Sequence, residues 1–124
     1  MYTVKEVAQR LEMNEHTVRY YTDQGLVPSL KRDNHNIRLF DEASVRWLLC
    51  VKHLRHCGMP IEEIKTYINL CQKGDSTVRE RYDIMRKQQT VALAQLEEAQ
   101  HRVAYIEEKA SNYLQMINGR EKTR

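Results

Sequence analysis

Three side chains in one short stretch could ligate a metal. Cys50, His53 and Cys57 stand at i, i+3 and i+7, a spacing that gathers thiol and imidazole donors on one helix face. The same spacing describes the inner face of a core helix, and unoxidised cysteine is among the most buried residue types. The face is therefore read as core, and no metal is expected. Cys50 and Cys57 would lie about 10 Å apart along a helix axis, too far for a disulfide, which needs Cα atoms within about 7 Å. A second group is built to bind rather than react. His16, Thr17, Arg19 and Tyr20, then Lys31, Arg32, His35 and Arg38, offer charged forks and hydroxyls suited to phosphate oxygens and guanine edges. Enzymatic patterns do not occur: the chain has no Gly-rich phosphate loop, nucleophile elbow or His-Glu-x-x-His. His101 is read as a solvated residue.

The 124 residues suffice for one small domain and one long helix. Net charge is +3 and the isoelectric point is near 8.8, a mild bias that does not by itself establish a nucleic-acid partner. Apolar runs fall well short of a membrane span, and the start, Met1-Tyr2-Thr3-Val4-Lys5-Glu6, does not read as a signal peptide. With an odd number of cysteines, Cys50, Cys57 and Cys71, no disulfide framework is expected, and the reading is a reducing cytoplasm.

Caps and breakers divide the chain. Thr3-Val4-Lys5-Glu6 is a capping box opening a helix with Val4, Val7, Ala8 and Leu11 inward. A tight turn at Met13-Asn14 leads to a second helix, 15–24, which buries Val18 and Tyr21 and stops at Gly25. Two helices so joined, with small Ala8 at the crossing, describe a helix-turn-helix; His16, Thr17, Arg19, Tyr20 and Asp23 then face outward. Residues 26–40, with Pro28 and the cluster Asp33-Asn34-His35-Asn36, predict a two-stranded loop with a turn at its tip. Asp41 caps a third helix ending at Gly58. Pro60, at a first helical position, starts a fourth that ends near Gly74. Residues 75–77 open the last helix, which Asn118-Gly119 closes, leaving 120–124 frayed.

That last helix carries a seam. Val78, Tyr82, Met85, Gln89, Ala92, Leu96, Ala99, Val103, Ile106, Ala110, Tyr113 and Ile117 follow one another in alternating steps of four and three, the 3.5-residue period of a coiled coil. About 40 helical residues span roughly 60 Å, too long to fold back on the small domain, so the expected partner is a second copy. Two readings follow: a dimeric DNA-binding regulator, or a coiled-coil protein-assembly module whose helix-turn-helix is only a fold.

Four segments in order, Glu15-His16-Thr17-Val18-Arg19-Tyr20-Tyr21, Gly25-Leu26-Val27-Pro28, Ile37-Arg38-Leu39-Phe40-Asp41 and Leu54 to Ile64 through Gly58-Met59-Pro60, make the chain similar to the MerR family of bacterial transcription regulators. The resemblance implies an all-α fold with a small β wing. A winged helix-turn-helix domain (1–74, with two linker helices) would precede an antiparallel dimerisation coiled coil (75–119). It implies that Thr17, Arg19 and Tyr20 belong to a recognition helix, whose outward face also carries His16, and that Arg38 grips phosphate from the wing with Arg32 and His35 nearby. Family members read Asn-Gly-Tyr-Arg at the wing tip; here Asn36 stands at the glycine position, a place asparagine can hold because it tolerates a left-handed backbone.

The resemblance also implies a mechanism. A homodimer sits on a pseudo-palindromic promoter operator and, on binding an effector, kinks and untwists the DNA so that RNA polymerase meets aligned promoter elements. No separate effector domain, cofactor or membrane contact is expected. Metal-sensing relatives carry cysteines at the start of the long helix and in a loop after it, and this sequence has neither. Gly74-Asp75-Ser76-Thr77-Val78-Arg79-Glu80-Arg81 is similar to small family members that respond to aldehyde and nitrosative stress. Those place a reactive cysteine where His53 stands here, which leaves Cys50, Cys57 and Cys71 as the candidate effector thiols; the other readings are a small molecule in a pocket at the dimer interface, or no effector.

Overall fold

In a computed structural model, residues 1–122 are described. The element order is α1 (Val4–Leu11), α2 (Glu15–Asp23), β1 (Lys31–Arg32), β2 (Arg38–Leu39), α3 (Glu42–His56), α4 (Ile61–Lys73), a 3₁₀ turn (Gly74–Thr77) and α5 (Val78–Lys122). The chain is mostly helical with a small two-stranded wing, as the sequence implied.

Local chemistry sets the helix starts. Thr3 accepts from the Glu6 amide while Glu6 Oε1 accepts from the Thr3 amide at 3.0 Å, so both halves of the capping box form. Asn14 caps α2 through its side chain, accepting from the His16 amide at 2.7 Å. Asp41 caps α3 by accepting from the Ser44 amide at 2.8 Å. Pro60 departs from expectation: it is the extended residue before α4, with ψ 151°, so the helix starts one position later.

The wing forms as Lys31 pairs with Leu39 and Arg32 with Arg38 in antiparallel register. At its tip Asn36 has φ +61°, the left-handed conformation expected of it, and Asp33 Oδ1 accepts from the His35 and Ile37 amides at 2.8 and 3.0 Å. A third segment joins the wing from far away in sequence. Tyr2 and Phe40 exchange both backbone hydrogen bonds at 2.8 Å.

Val7, Ala8, Val18, Leu26, Phe40, Leu48, Val51, Met59, Ile64 and Ile68 form the core. Phe40 is fully buried and directly follows β2, the strand that carries Arg38. Phe40→Ala is expected to cost about 3–5 kcal/mol, read as a lowered urea midpoint with unchanged slope.

Around this core, Arg10 grips Glu42 with both nitrogens at 3.1 and 3.2 Å, and the Tyr2 hydroxyl donates to Glu42 at 3.0 Å. The Arg10 bond, then the Tyr2 bond, hold the Glu42 carboxyl below its usual range. The Ser44 amide does the same to Asp41, and Thr3 to Glu6. The unfolded chain takes up protons on these groups at higher pH than the folded one. Their stabilisation is thus complete above the ordinary carboxylate pKa, about 4, and is lost as pH falls through the lower folded values. Thermal scans from neutral pH downward should show the melting temperature falling below about pH 4, less steeply in Glu42→Gln.

The first compact unit runs Met1–Ile84 and so includes the beginning of α5. A latch explains it: the buried Thr77 hydroxyl donates to the Leu70 carbonyl at 2.6 Å, and Arg81 bonds Thr77 Oγ1 at 3.1 Å and the Gly74 carbonyl at 3.0 Å. The second unit, from Met85 onward, is the remainder of α5. Asn118-Gly119 does not close this helix, which continues to Lys122. A single glycine lowers helix propensity by about 1 kcal/mol without breaking the hydrogen-bond ladder. Of the tail expected to fray, 120–122 are helical and 123–124 lie outside the described residues.

Candidate nucleic-acid interface

α2 turns its apolar side inward: Val18 is fully buried and Tyr21 nearly so. The opposite side presents His16, Arg19 and Tyr20 as exposed and Thr17 as half-buried. Tyr20 packs its ring 5.9 Å from Tyr21, which limits where its hydroxyl can reach. Arg19 pairs within the helix to Glu15 at 3.4 Å, with both side chains nearly half exposed. An exposed pair of this kind contributes at most about 1 kcal/mol, so a phosphate can take the guanidinium at little cost.

Arg38 is held differently. Its Nη2 donates to Asp23 Oδ1 at 2.8 Å with the arginine side chain only 21% exposed. Its buried Nε has no partner among the described residues. Asp23, expected only to face outward, thus ties the wing to the last turn of α2 and aims the rest of the Arg38 fork. Arg32 braces the tip by donating to the Asn36 carbonyl at 3.0 Å, and Arg32 and His35 are both exposed.

A concavity of about 260 Å³ brings Arg19, Asn36, Ile37 and Arg38 together with Thr3, Val4 and Lys5. Lys5 was not singled out in the sequence. A signal for it existed: it is the cation in the first turn of a capped helix, where α1's amides also favour an anion. α2, the wing and the start of α1 therefore converge on one hollow whose lining includes two arginines and a lysine, side-chain types that bond phosphate oxygens.

The cysteines are arranged otherwise than a common core face requires. Cys50 is half-buried and lines a cleft between α3 and α4, whereas Cys57 is exposed at the C-terminal cap of α3. His53 lines a different groove with Tyr21, Lys52, Arg55 and His56. Of Cys50, His53 and Cys57, Cys50 alone is half-buried and the other two are exposed, because the buried face of α3 runs through Ser44, Val45, Leu48 and Val51. Among the described residues, no group of three or more His, Cys, Asp or Glu is placed to hold a metal ion.

On α5 the seam residues Val78, Tyr82, Leu96, Val103, Ile106 and Tyr113 are 53–65% exposed. Met85 and Ala99 are half-buried, and Gln89, Ala92 and Ala110 are exposed. No described helix is long and apolar enough to cross a membrane.

Two helices crossing at a small residue, the second presenting a polar face beside a β hairpin, define a winged helix-turn-helix protein of the kind that docks on DNA. The family model for MerR HTH regulatory proteins matches residues 2–71. The chain belongs to that family; it is a DNA-binding transcriptional regulator, not an enzyme. It is 28% identical to an uncharacterized HTH-type transcriptional regulator of Haemophilus influenzae, across 90% of this chain and 83% of that one. Identity to the regulator AdhR of Bacillus subtilis is 35%, over 66% of this chain and 59% of AdhR. Among solved structures, HiNmlR, a MerR family regulator lacking the sensor domain and bound to promoter DNA, superposes with a TM-score of 0.79. It shares 27% identity over 92% of this chain and 90% of its own.

Proposed function

We propose that this chain acts in the bacterial cytoplasm as a homodimer. The α5 seams pair antiparallel and hold two recognition helices on the half-sites of a pseudo-palindromic promoter operator. Thr17, Arg19 and Tyr20, with His16, address the major groove and its edges; Arg38, Arg32 and His35 hold the flanking backbone from the wing. The observation that carries the reading is the convergence of Arg19, Arg38, Asn36 and Lys5 on one hollow. The complex of HiNmlR with promoter DNA supports the same docking here.

An effector, in this reading a thiol-reactive stress, changes the geometry at the base of α5. The paired helices lever that change into a kinked and untwisted operator, which RNA polymerase then engages. The deformed duplex is stabilised by phosphate contacts rather than by base contacts alone.

A gel shift with the chain's own promoter tests this. A palindromic site should be bound with an affinity that falls steeply with salt, the logarithmic slope approaching about 0.9 per phosphate neutralised. Absence of binding at low salt would favour the alternative, a coiled-coil assembly module.

A further inference from the structure

We propose that the cleft between α3 and α4 is a two-thiol ligand site whose occupant is a trivalent arsenical bridging Cys50 and Cys71. The cleft has a volume of about 370 Å³ and is lined by Ala43, Arg46, Trp47, Cys50, Tyr67 and Cys71, a size at the lower end for small-molecule sites. One thiol comes from each helix, so a ligand that joins them ties α3 to α4. The indole and phenol supply apolar walls for an aryl or alkyl group on the arsenic.

The chemistry suits the environment. Burial, with Cys71 adding to it, pushes the Cys50 thiol above its ordinary value, so at neutral pH it is a protonated and slow nucleophile. Peroxides and alkylating agents need a thiolate. An arsenical carrying two hydroxyls does not: each As–O bond that breaks releases water bearing one thiol proton, and each is replaced by an As–S bond. Arsenic stays trivalent and no electron is transferred. His53 takes no part in this cleft and lines the separate groove beside Tyr21.

The site is connected to α5. Cys71 follows Leu70, whose carbonyl receives the Thr77 hydroxyl, and Arg81 bonds the Gly74 carbonyl three residues further on. Drawing Cys71 toward α3 shifts the latch from which α5 departs. This regulatory consequence rests on the DNA-binding reading above; the ligand site does not.

The test uses the full chain with phenylarsine oxide as probe, followed by intact mass and thiol counting. One arsenical per protomer should bind and remove two of the three thiols. In competition with a monothiol, Cys50→Ala and Cys71→Ala should each weaken retention by about 10²-fold or more, since a single thiol lacks the second, intramolecular bond. Cys57→Ala should retain the probe like wild type. Where an alanine variant loses helical signal, its serine counterpart takes its place. Equal retention by all variants, loss in Cys57→Ala, or one arsenical joining two protomers would overturn the site. In parallel, the arsenical should shift operator affinity or promoter untwisting in the wild type but not in Cys71→Ala, and an unchanged complex would refute the coupling. A protein that binds no operator but retains the arsenical defeats the proposed function and leaves the site standing.

Discussion

Leu96→Asp is expected to convert the protein to monomers at micromolar concentration in light scattering, and to abolish tight operator binding with it. Leu96 is more than half exposed on α5, so in an isolated helix the aspartate costs only about 0.5 kcal/mol of helix propensity. Facing a second seam it must either lose its hydration, at several kcal/mol for each unpaired carboxylate, or take up a proton. Both copies carry the change, so the penalty is counted twice. Without the dimer, each reading head binds a half-site alone, and the gain from joining two weak events, of the order of 10²–10⁴ in affinity, disappears. Val103→Asp should behave alike, whereas Asn112→Asp, off the seam, should leave both dimer and complex intact. A Leu96→Asp protein that stays dimeric and binds its operator would refute the seam.

The second large effect is at the hollow between α2 and the wing. Arg19→Ala combined with Arg38→Ala should weaken operator binding by about 1–3 kcal/mol for each arginine removed per protomer. The helical core and the dimer should be unchanged, since Arg19 pairs with the exposed Glu15, and losing the Arg38–Asp23 bond frees the wing without touching the apolar core. The single variants distinguish roles. If Arg38 grips phosphate, Arg38→Ala lowers affinity for all sequences and reduces the salt slope by about one for each phosphate it neutralises. If Arg19 also reads a base edge, Arg19→Ala relaxes preference at one operator position. Circular dichroism and light scattering on the same samples separate these effects from unfolding. Wild-type affinity in the double variant would sink the assignment of both residues.

Much of the architecture was written locally. The Thr3–Glu6 capping box, the Asn14 and Asp41 caps and the left-handed Asn36 each depend on residues within a few positions, where short side chains and backbone sterics leave few alternatives. The buried faces of α1 and α2 followed from periodicity, because a helix has one apolar stripe and that stripe must be covered. Pro60 and Gly119 show where such signals blur: helix ends and propensities are decided by fractions of the energy that packing supplies.

Other features joined residues that no local pattern relates. Tyr2 pairs with Phe40, Arg10 with Glu42, Arg38 with Asp23, and Thr77 latches onto Leu70. Lys5 meets α2 and the wing only because α1 begins beside them. Cys50 and Cys71 share a cleft while His53 lines another, although spacing alone had grouped Cys50 with His53 and Cys57. From its own order of residues, the chain determined its helices, its wing and the stripe along α5, since those are choices of backbone conformation made over a few neighbouring side chains. Which carboxylates hold Arg10 and Arg38, and which thiols share a cleft, was decided only when distant segments packed. Such pairings depend on the angles between rigid elements, and the period of a helix carries no record of them.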